Sequence, residues 1–256
     1  MSHLKSPKSM LITGATSGIG AALAREYSEP GIFLALTGRD PERLAAISAD
    51  CRELGAEVQA RPLDVQDRTG FAAWIDEIDE NRPIDLAIAN AGVSGGTARS
   101  KDEPAIAREI LAINVDGVLN LVLPLIPKLQ ERRRGQIAIM SSVAGFRGLA
   151  TSPAYCASKA AVKVWGEGLR CRLWDDGIAV SVICPGWVKS GITDVNQFHM
   201  PWIMTAERAA RIIRRGLAAN KARICFPWQM HFLVWLSTVL PVAWTDGPVR
   251  RHTKKH

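Results

Sequence analysis

Short apolar runs alternate with longer amphipathic segments along most of the chain. A continuous apolar run bounded by turn residues is typical of a strand buried in a parallel sheet, and alternation with helical segments is typical of βα units. Seven such runs predict strands: Met10–Thr13, Ile32–Thr37, Val58–Leu63, Ile84–Ala89, Gln136–Ser141, Ala179–Cys184 and Arg223–Phe226. The pattern therefore predicts an α/β protein built around a parallel sheet.

Capping residues mark the helix boundaries between these runs. Asp40 followed by Pro41 is a common start of a helix, and Gly55 is expected to end that helix. Thr205 precedes the amphipathic segment Ala206–Asn220 in the same way. Both segments are therefore predicted to be helices with side-chain caps.

One long apolar segment, Pro104–Arg134, contains Pro124 and Pro127. Proline removes a hydrogen bond from the interior of a helix, so a kink or break is predicted there. No repeat, low-complexity tract or linker divides the sequence, and a single domain over residues 1–256 is expected.

The composition restricts the class of protein. Of the 256 residues, 47% are apolar and 22% are charged, which excludes a disordered, collagen-like or coiled-coil chain. The five cysteines are odd in number and include no CxxC pair, which argues against a disulfide framework and against a metal site and favours a reducing cytoplasm. The first ten residues form a short polar stretch, and no signal peptide is predicted.

The net charge of +7 is concentrated near the C-terminus. Residues 1–204 hold 22 Lys and Arg against 23 Asp and Glu, whereas residues 205–256 hold 10 against 2. No nucleic-acid-binding signature accompanies the basic excess, so no nucleic-acid partner is expected.

A glycine-rich turn follows the first predicted strand. Residues 13–20 read TGATSGIG and lead into the helical stretch Ala21–Tyr27. Glycines in such a turn let the backbone approach a pyrophosphate, which then lies at the positive end of the helix. The spacing is GxxxGxG and not the commoner GxGxxG, and a tight turn without a ligand is the alternative.

Tyr155 and Lys159 share one face if their segment is helical, because they are four residues apart. An ammonium beside a phenol favours the phenolate, so a lowered pKa is expected for Tyr155, with acid–base activity near neutral pH. Ser142 follows the fifth predicted strand, at the sheet edge where open α/β sheets bind ligands. A solvated helix face is the alternative for the Tyr155 and Lys159 pair.

Together these residues resemble the short-chain dehydrogenase/reductase family, across nearly the whole chain. The matching features, in family order, are TGATSGIG, Asn90-Ala91-Gly92, Asn114, Ser142, Tyr155, Lys159 and Pro185-Gly186. The resemblance implies a single-domain Rossmann-type three-layer αβα sandwich with a seven-stranded parallel sheet. It also implies an NAD(P)-dependent oxidoreductase that interconverts a carbonyl and a secondary alcohol.

The resemblance also implies roles for individual residues. Tyr155 would be the general acid or base, and Lys159 would lower its pKa and bind the nicotinamide ribose. Ser142 would hold the substrate oxygen, and Asn114 would order a water path from Lys159 to solvent. The implied cofactor contacts are Gly14, Thr16, Ser17, Gly18, Ile19, Gly20, Arg39, Asp64, Val65, Asn90, Ala91, Gly92, Tyr155, Lys159, Pro185, Gly186 and Val188.

The end of the second predicted strand favours NADP(H) over NAD(H). Members that prefer NAD usually carry an acidic residue at the position of Gly38, whereas Arg39 here is placed to pair with a 2′-phosphate. Asp40 could contact the ribose instead, although its position before a proline indicates a helix cap. Ser17 departs from the pattern, because many NADP-dependent members carry a basic residue there.

The segment 187–204 is the expected substrate loop. Its apolar side chains are Trp187, Ile192, Phe198, Met200, Trp202, Ile203 and Met204. They predict a fairly hydrophobic ketone, aldehyde or secondary alcohol as substrate, and simple packing under the loop is the alternative.

The C-terminal segment 226–256 combines an apolar stretch with a basic tail. Its unbroken part, Phe232–Leu240, is shorter than the ~20 apolar residues that span a bilayer. Two interpretations remain open. The segment packs over the substrate site or a subunit interface, or it is an interfacial anchor on an anionic membrane, since tryptophans and basic flanks suit the headgroup region.

The resemblance further implies a homodimer or homotetramer formed through two helices. The apolar stripes proposed for this contact are Ile106, Ile110, Ile113, Gly117 and Leu121 on one helix and Ala161, Trp165, Gly168 and Leu169 on the other. The alternative is that either stripe faces the sheet, which is expected for part of each. Two alternatives to a cytoplasmic enzyme are a peripheral membrane reductase of a lipid-like substrate and a cofactor-binding scaffold without turnover.

Overall fold

Seven parallel strands form one sheet at the centre of the computed structural model, which describes residues 6–95, 102–194, 200–241 and 243–245. The strands are β1 (Ser9–Thr13), β2 (Phe33–Gly38), β3 (Glu57–Pro62), β4 (Leu86–Ala89), β5 (Gly135–Met140), β6 (Ile178–Pro185) and β7 (Arg223–Phe226). Their order in the sheet is β3-β2-β1-β4-β5-β6-β7. The order reverses between β1 and β4, and open sheets of this kind bind ligands at that crevice, outside the carboxyl ends of the strands.

Helices cover both faces of the sheet. They are α1 (Gly18–Tyr27), α2 (Pro41–Glu53), α3 (Arg68–Asn81), α4 (Glu103–Leu111), α5 (Gly117–Arg132), α6 (Pro153–Arg172), α7 (Gly191–Asp194), α8 (Ala206–Ala218) and α9 (Trp228–Val239). Residues from α1, α2 and α8 share one apolar core with one face of the strands. Residues from α3, α5 and α6 share a second core on the other face. The predicted three-layer αβα architecture is therefore confirmed.

Each of the seven predicted strands corresponds to an observed strand. The largest shift is in β4, which begins at Leu86 and not at Ile84. The reason is that the Ile84 amide donates to a carboxylate oxygen of Asp79 at 2.8 Å, outside the ladder. All strand pairs in the sheet are parallel, as the apolar runs predicted.

The predicted helix caps are also confirmed. An Asp40 carboxylate oxygen accepts from the Arg43 amide at 3.0 Å, and Pro41 is the first residue of α2. Gly55 follows that helix with a φ of +97°. The Thr205 hydroxyl accepts from the Arg208 amide at 3.3 Å at the start of α8.

A kink or break was expected at Pro124 and Pro127, and the break does not occur, because α5 continues through both prolines. Its side chains Leu121, Leu125 and Leu129 are fully buried, and this packing holds the helix together. The departure from α geometry lies earlier, in a π-helical turn at Ala112–Asp116 that joins α4 to α5.

By length and composition alone, the continuous helix Glu103–Arg132 could cross a membrane. Half of its most apolar stretch is buried inside the protein, as expected for a core helix. The same burial corrects the predicted subunit contact. Ile110, Ile113 and Leu121 are at most 3% exposed and face the sheet, so they are not available to a partner.

Candidate active site

The glycine turn has the backbone geometry that its sequence predicted. Gly14 and Gly18 have φ values of +66° and +53°, in the left-handed region that other residues rarely adopt. A Cβ added to Gly20 would lie 2.1 Å from the Gly14 carbonyl oxygen. Helix α1 therefore packs directly on the turn that leads into it.

Thr13 and Asn90 tie the turn to the end of β4. The Thr13 hydroxyl accepts from the amides of Asn90 and Ala91 at 3.0 and 3.1 Å. In return, Asn90 Nδ2 donates to the Thr13 and Gly14 carbonyl oxygens at 3.0 and 3.2 Å. These bonds fix both walls of the crevice between β1 and β4.

The N-terminus of α1 is open to a ligand. Ser17 is the N-cap residue, but its side chain makes no capping hydrogen bond, unlike the caps of α2, α3, α4 and α8. The first amides of a helix have no intrahelical partner, and the helix dipole favours an anion there. The turn thus fits a pyrophosphate. Ser190 lies over it, since a Cβ on Gly18 would lie 2.8 Å from the Ser190 Cβ.

At the end of β2, a side chain in place of Gly38 would require Thr16 to move. A Cβ on Gly38 would lie 2.4 Å from Thr16 Cγ2. Asp40 is engaged in capping α2 and in an ion pair with Arg43 at 3.2 Å. Arg39 is exposed, and within the described ranges it forms no ion pair or hydrogen bond. A free guanidinium therefore borders this side of the crevice.

Asp64 and Val65 lie beyond the end of β3. Asp64 accepts from the Gln66 amide at 3.1 Å. Val65 is buried, and its carbonyl oxygen accepts from Asn120 Nδ2 at 2.8 Å. The third strand thus brings both predicted cofactor residues to the carboxyl edge of the sheet.

Ser142 lies immediately after β5 and opens a 3₁₀ turn, Val143–Gly145. Its hydroxyl accepts from the Ala144 amide at 3.1 Å and is 3.4 Å from the Pro185 carbonyl oxygen. The Ser142 hydroxyl also hydrogen-bonds Tyr155, in the first turn of α6. These two hydroxyls are the pair that would face a substrate oxygen.

Lys159 is 4% exposed, one turn further along α6. Its ammonium donates to the Met140 carbonyl oxygen at 3.0 Å and lies 5.8 Å from the centre of the Tyr155 ring. Burial lowers the pKa of Lys159 to about 8. A Cβ on Gly92 would lie 3.2 Å from this ammonium, so the segment that follows β4 lies against Lys159 of α6.

The expected lowering of the Tyr155 pKa is wrong for this structure. Burial raises the pKa of the Tyr155 hydroxyl above its ordinary value, and the hydrogen bond with Ser142 only partly opposes this rise. Lys159 bonds to the Met140 carbonyl and not to the phenol oxygen. The spacing of the two residues predicted their proximity correctly but carried no information about solvation.

Asn114 lies in the π-helical turn and is fully buried. Its Oδ1 accepts from the Val93 amide at 2.8 Å, and its Nδ2 donates to the Val93 carbonyl oxygen and to Ser158 Oγ at 3.0 Å each. Ser158 Oγ donates in turn to the Tyr155 carbonyl oxygen at 2.7 Å. Asn114 therefore links the segment after β4 to helix α6.

The sequence did not assign a role to Ser158. The sequence feature that could have indicated its role is its position on the predicted helix, three residues after Tyr155 and directly before Lys159. In the structure the Ser158 side chain is buried. The structure also adds Met230 of α9, since a Cβ on Gly186 would lie 2.6 Å from the Met230 sulfur. Helix α9 thus begins against the Pro185-Gly186 pair at the end of β6.

The substrate loop is only partly described, and Phe198 lies outside the described residues. Val188 and Met204 pair through a single β-bridge and are buried in the core. Trp202 and Ile203 are 46% and 36% exposed. Of the predicted apolar set, Trp187, Ile192 and Met200 are half-buried beside the site.

No cluster of three or more His, Cys, Asp or Glu side chains suited to a metal occurs among the residues whose structure is described. The four predicted catalytic side chains, Asn114, Ser142, Tyr155 and Lys159, supply two hydroxyls, one amide and one ammonium. This set is suited to proton transfer and hydrogen bonding.

Comparison with known proteins agrees with this geometry. Residues 8–200 match the family described as short chain dehydrogenase. An uncharacterized oxidoreductase of Myxococcus xanthus is 37% identical over 246 residues, which cover 95% of this chain and 97% of the relative. The chain therefore belongs to the short-chain dehydrogenase/reductase family of oxidoreductases.

Solved structures share the fold. A short-chain dehydrogenase from Sphingobium yanoikuyae in complex with NADPH has a TM-score of 0.76 and 25% identity, with 95% of this chain and 93% of that chain covered. A short chain dehydrogenase/reductase from Burkholderia phymatum in complex with NAD has a TM-score of 0.80 and 26% identity, with 90% and 92% covered. Similar proteins thus bind either nicotinamide cofactor.

Proposed function

We propose that the protein is an NADP(H)-dependent oxidoreductase that interconverts a carbonyl and a secondary alcohol. The observation that carries the proposal is the placement of Ser142, Tyr155, Lys159 and Asn114 at one edge of the sheet, beside an open helix N-terminus. A scaffold without turnover would have no use for this buried acid–base set.

The nicotinamide, when bound, supplies or accepts the hydride. Ser142 and Tyr155 would hold the substrate oxygen between their hydroxyls, and Tyr155 would transfer the proton. Lys159 would keep a positive charge beside the phenol and, on this proposal, bind the cofactor ribose. That charge would oppose the burial that raises the pKa of Tyr155.

The preference for NADP(H) is proposed from this chain's own residues, because the solved relatives divide between the two cofactors. Gly38 supplies no carboxylate that would grip ribose hydroxyls and repel a phosphate, and a side chain in its place would require Thr16 to move. Asp40 is occupied as a helix cap, and Arg39 is free to pair with a 2′-phosphate.

The substrate is proposed to be a hydrophobic carbonyl compound, because the described parts of the expected substrate loop, residues 187–194 and 200–204, follow the Pro185-Gly186 pair and are rich in apolar side chains. We also propose a cytoplasmic homo-oligomer, as the family resemblance implies. The large apolar side chains that α4, α5 and α6 leave exposed are Leu111, Leu123 and Val164. We propose these residues for the subunit contact, in place of the buried residues Ile110, Ile113 and Leu121.

Replacing Tyr155 by Phe tests the mechanism, with turnover followed by NADPH absorbance on a panel of ketones and aldehydes. We expect kcat to fall by about 10²–10⁴-fold, because general acid–base assistance is lost. The Kd for NADPH should change little. Tyr27, on α1, is the only other tyrosine in the sequence, and Tyr27→Phe is a matched control that should retain turnover.

Near-normal turnover of the Tyr155→Phe variant would overturn the proposed acid–base role. Saturable NADPH binding by the wild-type protein, with no turnover on any carbonyl of the panel, would favour the scaffold interpretation instead.

A further inference from the structure

Helix α9 leaves most of its apolar side chains in solvent. Of the fifteen large apolar side chains that are exposed in the described parts of the chain, eight lie between Trp228 and Trp244. We define the α9 apolar face as Trp228, Phe232, Leu233, Trp235, Leu236, Val239 and Leu240. Exposed apolar surface on this scale indicates a contact with a partner or a membrane.

The opposite side of α9 is fixed to the protein. Met230 is 8% exposed and packs on Gly186, and the His231 ring meets Phe146 edge-on with 5.3 Å between ring centres. Further along the chain, Arg147 hydrogen-bonds the Thr245 hydroxyl at 3.2 Å. The helix cannot turn its apolar face inward without losing these contacts.

The α9 apolar face is uniform in character. Trp228, Phe232, Trp235 and Val239 follow one another at spacings of four, three and four residues and therefore form one stripe. Leu233, Leu236 and Leu240 form the adjacent stripe with the same spacing. No Asp, Glu, Lys or Arg occurs between Ile224 and Thr245.

The length of α9 determines how it could meet a membrane. Its 12 residues extend about 18 Å, which is less than the ~30 Å hydrocarbon core of a bilayer. It can therefore lie along a bilayer surface but cannot cross it. Trp228 and Trp244 mark the two ends of the segment and are 72% and 71% exposed, and tryptophan favours the headgroup level.

Charge distinguishes an anionic membrane from a second copy of the chain. The sequence after Thr245 contributes four basic residues, Arg250, Arg251, Lys254 and Lys255, against one acidic residue, Asp246. Two copies joined through α9 would bring two such basic segments together, which is unfavourable. Anionic lipid headgroups would instead neutralise the charge.

We propose that the α9 apolar face docks on the surface of an anionic lipid bilayer, assisted by the basic residues that follow it in the sequence. The inference does not depend on the proposed reaction, because it concerns a surface and not the catalytic groups. Its test can therefore fail or succeed independently of any turnover measurement.

The test is cosedimentation of the full chain with vesicles of phosphatidylcholine alone or with about one third phosphatidylglycerol. We expect binding to the anionic vesicles only, weakened by added salt. The Leu233→Gln, Trp235→Gln double variant should reduce the bound-to-free ratio by about tenfold or more. Leu54→Gln is the matched control, since Leu54 on the far side of the protein is 50% exposed and Leu233 is 53% exposed.

Circular dichroism and NADPH affinity would check that the variants are folded. Trp228→Gln offers a second variant at a position that is 72% exposed. The proposal is overturned by any of three results: no binding of the wild-type protein to anionic vesicles, equal binding to both kinds, or unchanged binding of the double variant. A wild-type oligomer that the double variant dissociates would assign the face to a second copy and would also overturn it.

Discussion

Replacing Asn114 by Ala would test whether the π-helical turn is held by this one side chain. Asn114 is fully buried and makes three hydrogen bonds, two with Val93 and one with Ser158. Alanine leaves the Val93 amide without an acceptor and the Val93 carbonyl and Ser158 hydroxyl without a donor. All three lie in the protein interior, where water cannot easily replace the lost bonds.

The expected loss of stability follows from these bonds. A hydrogen bond contributes about 1 kcal/mol net, and a buried group left without its partner costs about 1–3 kcal/mol. We therefore expect Asn114→Ala to lower the free energy of unfolding by about 3 kcal/mol or more. Asn120 lies on the following helix and makes one bond to Val65, so Asn120→Ala should cost about 1 kcal/mol.

The assay is equilibrium unfolding in urea at a fixed protein concentration, followed by far-UV circular dichroism. Turnover of the folded Asn114→Ala variant should also fall, because Ser158 loses the contact that positions the Tyr155 backbone. Equal losses of stability for the two variants would refute the reasoning, since they would show that the extra bonds of Asn114 contribute nothing.

Two further predictions concern charge. Arg39→Ala should raise the Kd for NADPH by about 10–100-fold and leave the Kd for NADH nearly unchanged. Arg43→Ala, the control, should change neither Kd strongly. Equal effects of Arg39→Ala on both cofactors would show that Arg39 does not contact the phosphate. Burial lowers the Lys159 pKa from 10.5 to about 8, so the unfolded chain binds more protons between these pH values and wild-type stability rises across them. Lys159→Met should accordingly be more stable than wild type by about 3 kcal/mol at pH 7, and urea unfolding should show this advantage vanishing by about pH 11. A constant advantage would contradict the buried-ammonium account.

The sequence predicted the sheet well because strands that are buried on both faces appear in it as continuous apolar runs. Runs such as Ala179–Cys184 are apolar on both faces, and only a strand covered by helices on both sides needs that pattern. Caps at Asp40 and Thr205 were equally predictable, because capping is decided within four residues of the chain.

The features that were mispredicted depend on distant contacts. Pro124 and Pro127 predicted a break, but the packing of their helix against the sheet outweighs the local penalty. The pKa of Tyr155 depends on burial by elements far away in sequence. Candidate catalytic residues could be proposed from their motifs, but the bonds from Asn114 through Ser158 to the Tyr155 backbone could not.

The π-helical turn at Ala112–Asp116 also has a consequence for comparing relatives. A wide turn of this kind accommodates one residue more than an α-helix, so the apolar stripes of α4 and α5 are out of phase with each other. The wide turn lets both halves of the helix keep their buried side chains toward the sheet, although their apolar positions are offset by one residue in the sequence. A related chain that lacks this residue would form an ordinary α-helical turn here, so a single-residue gap at this point in an alignment marks the loss of the wide turn and not a difference in a loop.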